Sequence, residues 1–341
     1  MENKPSITQR IENMLNDVKF KKHCVMLRSL NPHFNQDFEM CEKIANININ
    51  NIQIDGSKIN INAFSPEQVK QNIVEFYAYL DQLCPEQPLL NKVEENFKYL
   101  KLEHDKQPSS RSYCSTRIDD EGKEIREIFC NVEGRVGDNS TAVHEVCHSL
   151  SKSFEILKRP KDQRMAEVCP VIMDAISSYY FSKKYPQLNE NFNEDALNAQ
   201  VVNVMKARES LLDAVVIDVM TGHLTQSKAV MRYGEMFSRN TNILNRCLNN
   251  IEQYKFSAMF EKKYLVPQAI ALEMLDRFKQ NPSLTISQFK TVLSHDHEWT
   301  LEETLNYLGL EQQQTLIDGY VNKFGARTNE LKSKQNRQNK Q

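Results

Sequence analysis

The segment Thr141-Ala142-Val143-His144-Glu145-Val146-Cys147-His148-Ser149-Leu150 constrains this chain more than any other. It is chemically useful only as a helix. Residues four apart on a helix share a face, so His144 and His148 can grip one ion while Glu145 reaches a water beside it. Zn2+ suits the arrangement, because it takes nitrogen and carboxylate ligands tetrahedrally and leaves a position open for water. Such an ion brings the pKa of its water toward about 7 and polarises a carbonyl, while the carboxylate moves the proton. Glu145 is the one charged residue of the segment apart from its histidines, consistent with a helix buried on most sides, and Asp138, Asn139 or Ser140 can cap its start.

Glu167 follows His148 after eighteen intervening residues. That stretch has room to finish the helix, turn near Arg159-Pro160 and begin a second, antiparallel helix. Glu167 lies in the run Met165-Ala166-Glu167-Val168-Cys169, among apolar neighbours. A buried carboxylate needs compensation, and a metal ion supplies it. Pro170 is a possible kink in the second helix.

On these residues, HExxH followed by x18 and Glu, the chain resembles the gluzincins, zinc peptidases with HExxH and a Glu on the next helix. The resemblance implies His144, His148 and Glu167 as zinc ligands, Glu145 as general base, and a peptide or protein as substrate. Some gluzincins carry an Asp four residues after the Glu ligand to orient a histidine. Here Val171 stands in that place, and Asp174, two turns from Glu167, is the substitute. Several gluzincins draw a donor for the oxyanion from a His or Tyr of their helical part, which singles out His223 and Tyr233; the Ser294–Trp299 cluster with His295 and His297 is another source.

Elsewhere the pattern is α+β. Alternating isoleucines around Asp55-Gly56, from Ile47 to Ile61, read as a hairpin; Ser112 to Val132, turning at Asp119 to Gly122, reads as a second. The resemblance makes the second the edge that would hold an extended peptide. Ser65-Pro66-Glu67-Gln68 is a capping box opening a helix with Val69, Ile73, Phe76, Tyr77 and Leu80 on one face. After residue 140 helical spacing dominates: Glu194–Thr221, Ala229–Phe237, Thr241–Tyr254, Pro267–Lys279 and Leu301–Tyr320. The expected fold is zincin-like, with an α+β lobe over 1–150 containing β-hairpins, a helical lobe over 151–322, and a basic, frayed tail over 323–341.

A net charge of -2 gives no general attraction to nucleic acid. The start of the chain lacks the apolar run of a signal peptide, and no segment approaches a membrane span, so neither nucleic acid nor membrane is an expected partner. The eight scattered cysteines read as reduced thiols. The expected setting is the cytoplasm, or delivery into another cell, as a toxin or effector, without a classical signal peptide. The reading from a different class is a non-catalytic helical binding module with a degenerate or absent metal site.

Overall fold

The computed structural model describes residues 7–30, 33–49, 52–59, 61–104, 112–157, 159–238, 251, 265–310 and 312–338. In chain order the elements are α1 (Ile7–Asn16), α2 (Val18–Ser29), α3 (Phe34–Ala45), α4 (Gly56–Ile59), α5 (Pro66–Leu83), α6 (Leu90–Asn96), β1 (Leu100–Glu103), β2 (Tyr113–Ile118), β3 (Glu124–Asn131), α7 (Asp138–Leu150), α8 (Lys152–Glu155), α9 (Val168–Lys184), α10 (Asn189–Thr221), α11 (Gln226–Ser238), α12 (Leu265–Gln280), α13 (Pro282–His295), α14 (Leu301–Leu308) and α15 (Gln313–Gln338). The chain divides into two interleaved units, Met1–Ile49 with Val202–Leu265, and Asn50–Val201 with Val266–Gln341. The three boundaries follow residues 49, 201 and 265, the second of them inside α10, which starts in one unit and ends in the other.

In the first unit, Met14, Phe20, Cys24, Phe34, Ala214, Ile217, Met220 and Ile251 form one buried cluster. Asp17 caps α2 by accepting from the Lys19 and Phe20 amides. The buried Arg208 guanidinium donates to the carbonyls of Ala45 and Ile47 at 3.0 and 3.1 Å, serving the end of α3. Arg28 lies over the Phe34 ring and pairs with Asp218.

The second unit holds the sheet, ordered β1-β3-β2, with β1 parallel and β2 antiparallel to β3. The Ser112–Val132 hairpin forms as expected; the Asp119 carboxylate accepts from the Glu121 and Lys123 amides and closes its turn. The hairpin expected around Asp55-Gly56 does not form in the described residues. The Asp55 carboxylate accepts from the amide and hydroxyl of Ser57, and its carbonyl accepts from the Lys58 amide, which winds Gly56–Ile59 into a single helical turn. That turn is held by α10: Glu194 accepts from the Asp55 amide and Asn191 donates to the Lys58 carbonyl.

The capping box at Ser65 and Gln68 opens α5, whose Val69, Ile73, Phe76, Tyr77 and Leu80 are all buried. The expected Leu301–Tyr320 helix is two helices, parted at Gly309, which takes the left-handed conformation that ends α14. The tail is helical to Gln338 rather than frayed. Ile317, Tyr320 and Phe324 bury one face of α15, Lys323 reaches Asp276 at 2.7 Å, and the Lys-, Gln- and Arg-rich remainder favours helix. Thr241–Tyr254 lies outside the described residues except for Ile251.

Helix α7 is gripped along its length. Asn72 donates to Asn139 at 3.0 Å near its start, and the Tyr77 hydroxyl donates to the Val143 carbonyl at 3.3 Å. At its end Asn96 donates to the carbonyl and hydroxyl of Ser149 at 3.0 and 3.1 Å, and Lys92 donates to the Leu150 carbonyl at 3.3 Å. Last-turn carbonyls have no partner within a helix, so Asn96 supplies what α7 lacks. Asn96→Ala is expected to lower unfolding free energy in urea by about 1–2 kcal/mol, and an unchanged midpoint would count against this anchoring.

Candidate metal centre

His144 and His148 leave α7 one turn apart, on its side toward the start of α9. Glu167 meets them from the end of a 3-10 turn, Gln163–Glu167, that feeds directly into α9. Asp162 shapes this turn by accepting from the Arg164 amide, while its other oxygen takes the Leu301 amide. Pro170 is the third residue of α9, where a helix has no intrahelical amide bond to lose, so it sits there without cost.

The two histidine Nε2 atoms are 3.2 Å apart, and Glu167 Oε2 lies 3.3 Å from that of His144 and 3.5 Å from that of His148. A tetrahedral zinc with bonds of roughly 2.0–2.1 Å separates its ligand atoms by about 3.3 Å. Three donors therefore already occupy the face of such a tetrahedron. The donor set, two imidazoles and one carboxylate, is one that zinc accepts with a position left open. Among the described residues this is the one group of three or more His, Cys, Asp or Glu able to share an ion.

Asp174 sits 2.9 Å from His144 Nδ1. An Nδ1–H donated to that carboxylate leaves the Nε2 lone pair directed at the other two donors. Burial opposes ionisation of Glu167, but the two imidazoles outweigh it and hold its carboxyl well below the usual range. Burial likewise opposes charge on His144, and Asp174 and Glu167 overcome it, raising its pKa well above the usual value. Glu145, 8 % exposed, is shifted upward, by burial first and by its carboxylate neighbours, against the pull of both histidines. Buried Cys147 and Cys169 keep their protons because burial pushes both thiols up.

His223 and Tyr233 belong to the first unit, where His223 Nδ1 contacts the Thr221 hydroxyl at 3.0 Å and the Tyr233 hydroxyl donates to Glu42 at 3.1 Å. His295 stacks on Trp299, and Asp296 accepts from the amides of Lys152 and Ser153 at the start of α8. One carboxylate near the site went unread in the sequence. Asp195 of α10 packs so closely on Gly137 that a Cβ there would collide with it, and it feels the charges of Arg135 and Asp174. Gly137 was its one local trace. Asp138, expected with Asn139 and Ser140 as a cap of α7, is instead its first residue after Gly137, and its carboxylate turns back to accept from the amides of Gly134 and Arg135 at 2.7 and 2.9 Å, shaping the loop that enters α7. Gly134, at φ +82°, abuts Asn62 with no room for a side chain.

Two solved structures share this fold. One is a protein assigned as oligoendopeptidase F from Bacillus anthracis strain Ames, with a TM-score of 0.55 and 14 % identity, covering 96 % of this chain and 57 % of that one. The other is Pz peptidase A with an inhibitor, with a TM-score of 0.60 and 14 % identity, covering 96 % of this chain and 59 % of that one. The chain thus spans under two thirds of either protein, and at this identity the likeness is one of fold. No family model matches the sequence, and no curated protein matches it. The fold is zincin-like, mainly helical with a small mixed sheet, and His144, His148 and Glu167 hold the gluzincin arrangement within it.

Burial raises Asp138 to about 6 from an ordinary 3.8. An acid whose folded pKa is raised binds more protons folded than unfolded, so its contribution is present at low pH and fades as pH rises from about 4 to about 6. Asp138→Asn is therefore expected to gain stability relative to the parent across that window, by an amount on the order of 3 kcal/mol at full ionisation. Urea unfolding at several pH values measures it; a difference independent of pH would remove the assignment.

Proposed function

We propose that this chain is a zinc-dependent peptidase in which His144, His148 and Glu167 hold the ion and Glu145 is the general base. The observation that carries this reading is the convergence of three donor atoms at 3.2, 3.3 and 3.5 Å from one another. Zinc, when bound, supplies a Lewis acid that polarises a peptide carbonyl and makes water acidic enough to attack near neutral pH.

The rest is the work of this chain's own side chains. Glu145, next to His144 on the same helix and largely shielded from solvent, accepts the proton of the attacking water and returns it to the leaving amine. Its raised affinity for protons suits both transfers. Asp174 fixes the His144 ring and its tautomer. Strand β2 is an edge of the sheet, and Cys114 within it lies close enough to Glu145 to feel its charge. An extended peptide adding to β2 by main-chain hydrogen bonds would pass beside the base. A non-catalytic module with a degenerate or absent metal site would have no need of three complete ligands beside a shielded Glu145. No feature of the fold or of the site speaks for delivery into another cell.

Glu145→Gln is expected to keep about one zinc per chain and to lose at least about a hundredfold in peptide cleavage. Asp174→Asn should weaken zinc binding about 10- to 100-fold in competition with a chelating dye. Cleavage is read as new N-termini after incubation with a cell lysate. Undiminished cleavage by Glu145→Gln at full metal content would exclude Glu145 as the base.

A further inference from the structure

The outer face of α2 combines two properties that soluble helices seldom show together. Phe20, Cys24 and Leu27 pack inward on the core of the first unit. On the outer side Val18 is 67 % exposed, Val25 50 % and Met26 46 %, and Leu30, just past the helix end, is 71 % exposed. Val18 and Val25 lie seven residues apart and so fall on one line, with Met26 beside them. Lys22 stands on the same line, Lys19 on one flank and Lys21 on the other, all three exposed. From Val18 to Leu30 there is no acidic residue. Arg28 is committed to Asp218, whereas the three lysines have no carboxylate partner among the described residues.

The charge of the whole chain hides this. Sixteen Lys and Arg against twelve Asp and Glu fall in the first unit, a balance of about +4 inside a chain of -2. The exposed apolar side chains concentrate in the same unit: Val18, Val25, Met26, Leu30, Val202, Val230 and Met231 account for seven of the eleven large ones among the described residues.

We propose that the outer face of α2 is a docking surface for an anionic lipid bilayer. Aliphatic side chains standing exposed on the outer face of a helix, with lysines on both flanks and no acid past the capping Asp17, match an interfacial helix that lies in the headgroup plane. The aliphatic groups enter the acyl boundary while the lysine stems extend to phosphate. An acidic protein partner would meet the lysines but not the four exposed aliphatic side chains between and beside them. The segment from Val18 to Leu30 spans about 18 Å, enough for a foothold that is reversible and sensitive to salt. The inference is independent of the peptidase reading, since none of these residues belongs to the metal centre.

The full chain is sedimented with vesicles of phosphatidylcholine alone and with vesicles also containing phosphatidylglycerol. Binding is expected only to the second kind, weakening as salt rises. Replacing Lys19, Lys21 and Lys22 together by Gln should lower partitioning about a hundredfold, at roughly fivefold per charge near an anionic surface. Val25→Asp with Met26→Asp should abolish it. The lysine variant touches no packed atom, so it decides the matter even if the aspartate pair disturbs folding. Absence of binding to anionic vesicles, or binding that the lysine variant leaves unchanged, would overturn the proposal. So would sedimentation velocity showing a dimer that the aspartate pair dissociates, because the face would then belong to a second copy. Cleavage of a soluble peptide should be equal in all variants.

Discussion

A carboxylate 3 % exposed to solvent is the constraint from which the arrangement of this protein follows. Burying an ionised Glu167 among Met165, Val168 and Cys169 would cost several kcal/mol if nothing compensated it. Two imidazoles within 3.5 Å supply that compensation in the polypeptide alone, and a divalent cation held by the same three groups would supply it more fully. The requirement runs in both directions. The two imidazole Nε2 atoms, 3.2 Å apart, and the Glu167 carboxylate share a proton in the polypeptide alone or a cation when one is bound, so α7 and the start of α9 act together.

Holding donor atoms to within a few tenths of an ångström requires a rigid α7, and its surroundings provide one. Asn72, Tyr77, Lys92 and Asn96 each spend a polar group on it, the first two from α5 and the last two from α6. Asn72 is itself fixed by Lys184 and the Tyr185 hydroxyl at 2.8 and 2.7 Å, so the far end of α9 steadies the beginning of α7. Behind α7 the apolar Ile128, Cys130 and Val132 of the sheet side are fully packed. A site built on helices and supported by buried hydrogen bonds keeps its geometry before any ligand arrives.

What was legible in the sequence was what local spacing controls. His144, Glu145 and His148 need only the period of a helix, and Glu167 announced itself by an apolar neighbourhood unsuited to a lone carboxylate. Asp174 was found because two turns of helix bring it round beside Glu167. Alternating isoleucines misled around Asp55, since an aspartate bonding to its own following backbone winds a turn that hydrophobic alternation does not reveal. The resemblance singles out His223 and Tyr233 by residue type, which carries no information on what Tyr233 meets; Glu42, which accepts from its hydroxyl, is 191 residues away in sequence. Asn72, Asn96 and Asp195 were invisible for the same reason, because each acts on a partner dozens of residues distant. The interleaving of the two units depends on α10 passing from one to the other, and a helix interior gives no local signal of that passage.

Zinc K-edge X-ray absorption of the zinc-loaded protein tests the central claim most directly. Cys147 and Cys169 flank the ligand positions in sequence, so sulfur is the obvious competitor for the ion. The three-donor site predicts scattering from two imidazoles and from oxygen at about 2.0–2.1 Å, with no sulfur shell near about 2.3 Å. A sulfur shell, or a spectrum without imidazole scattering, would contradict the assignment of His144, His148 and Glu167.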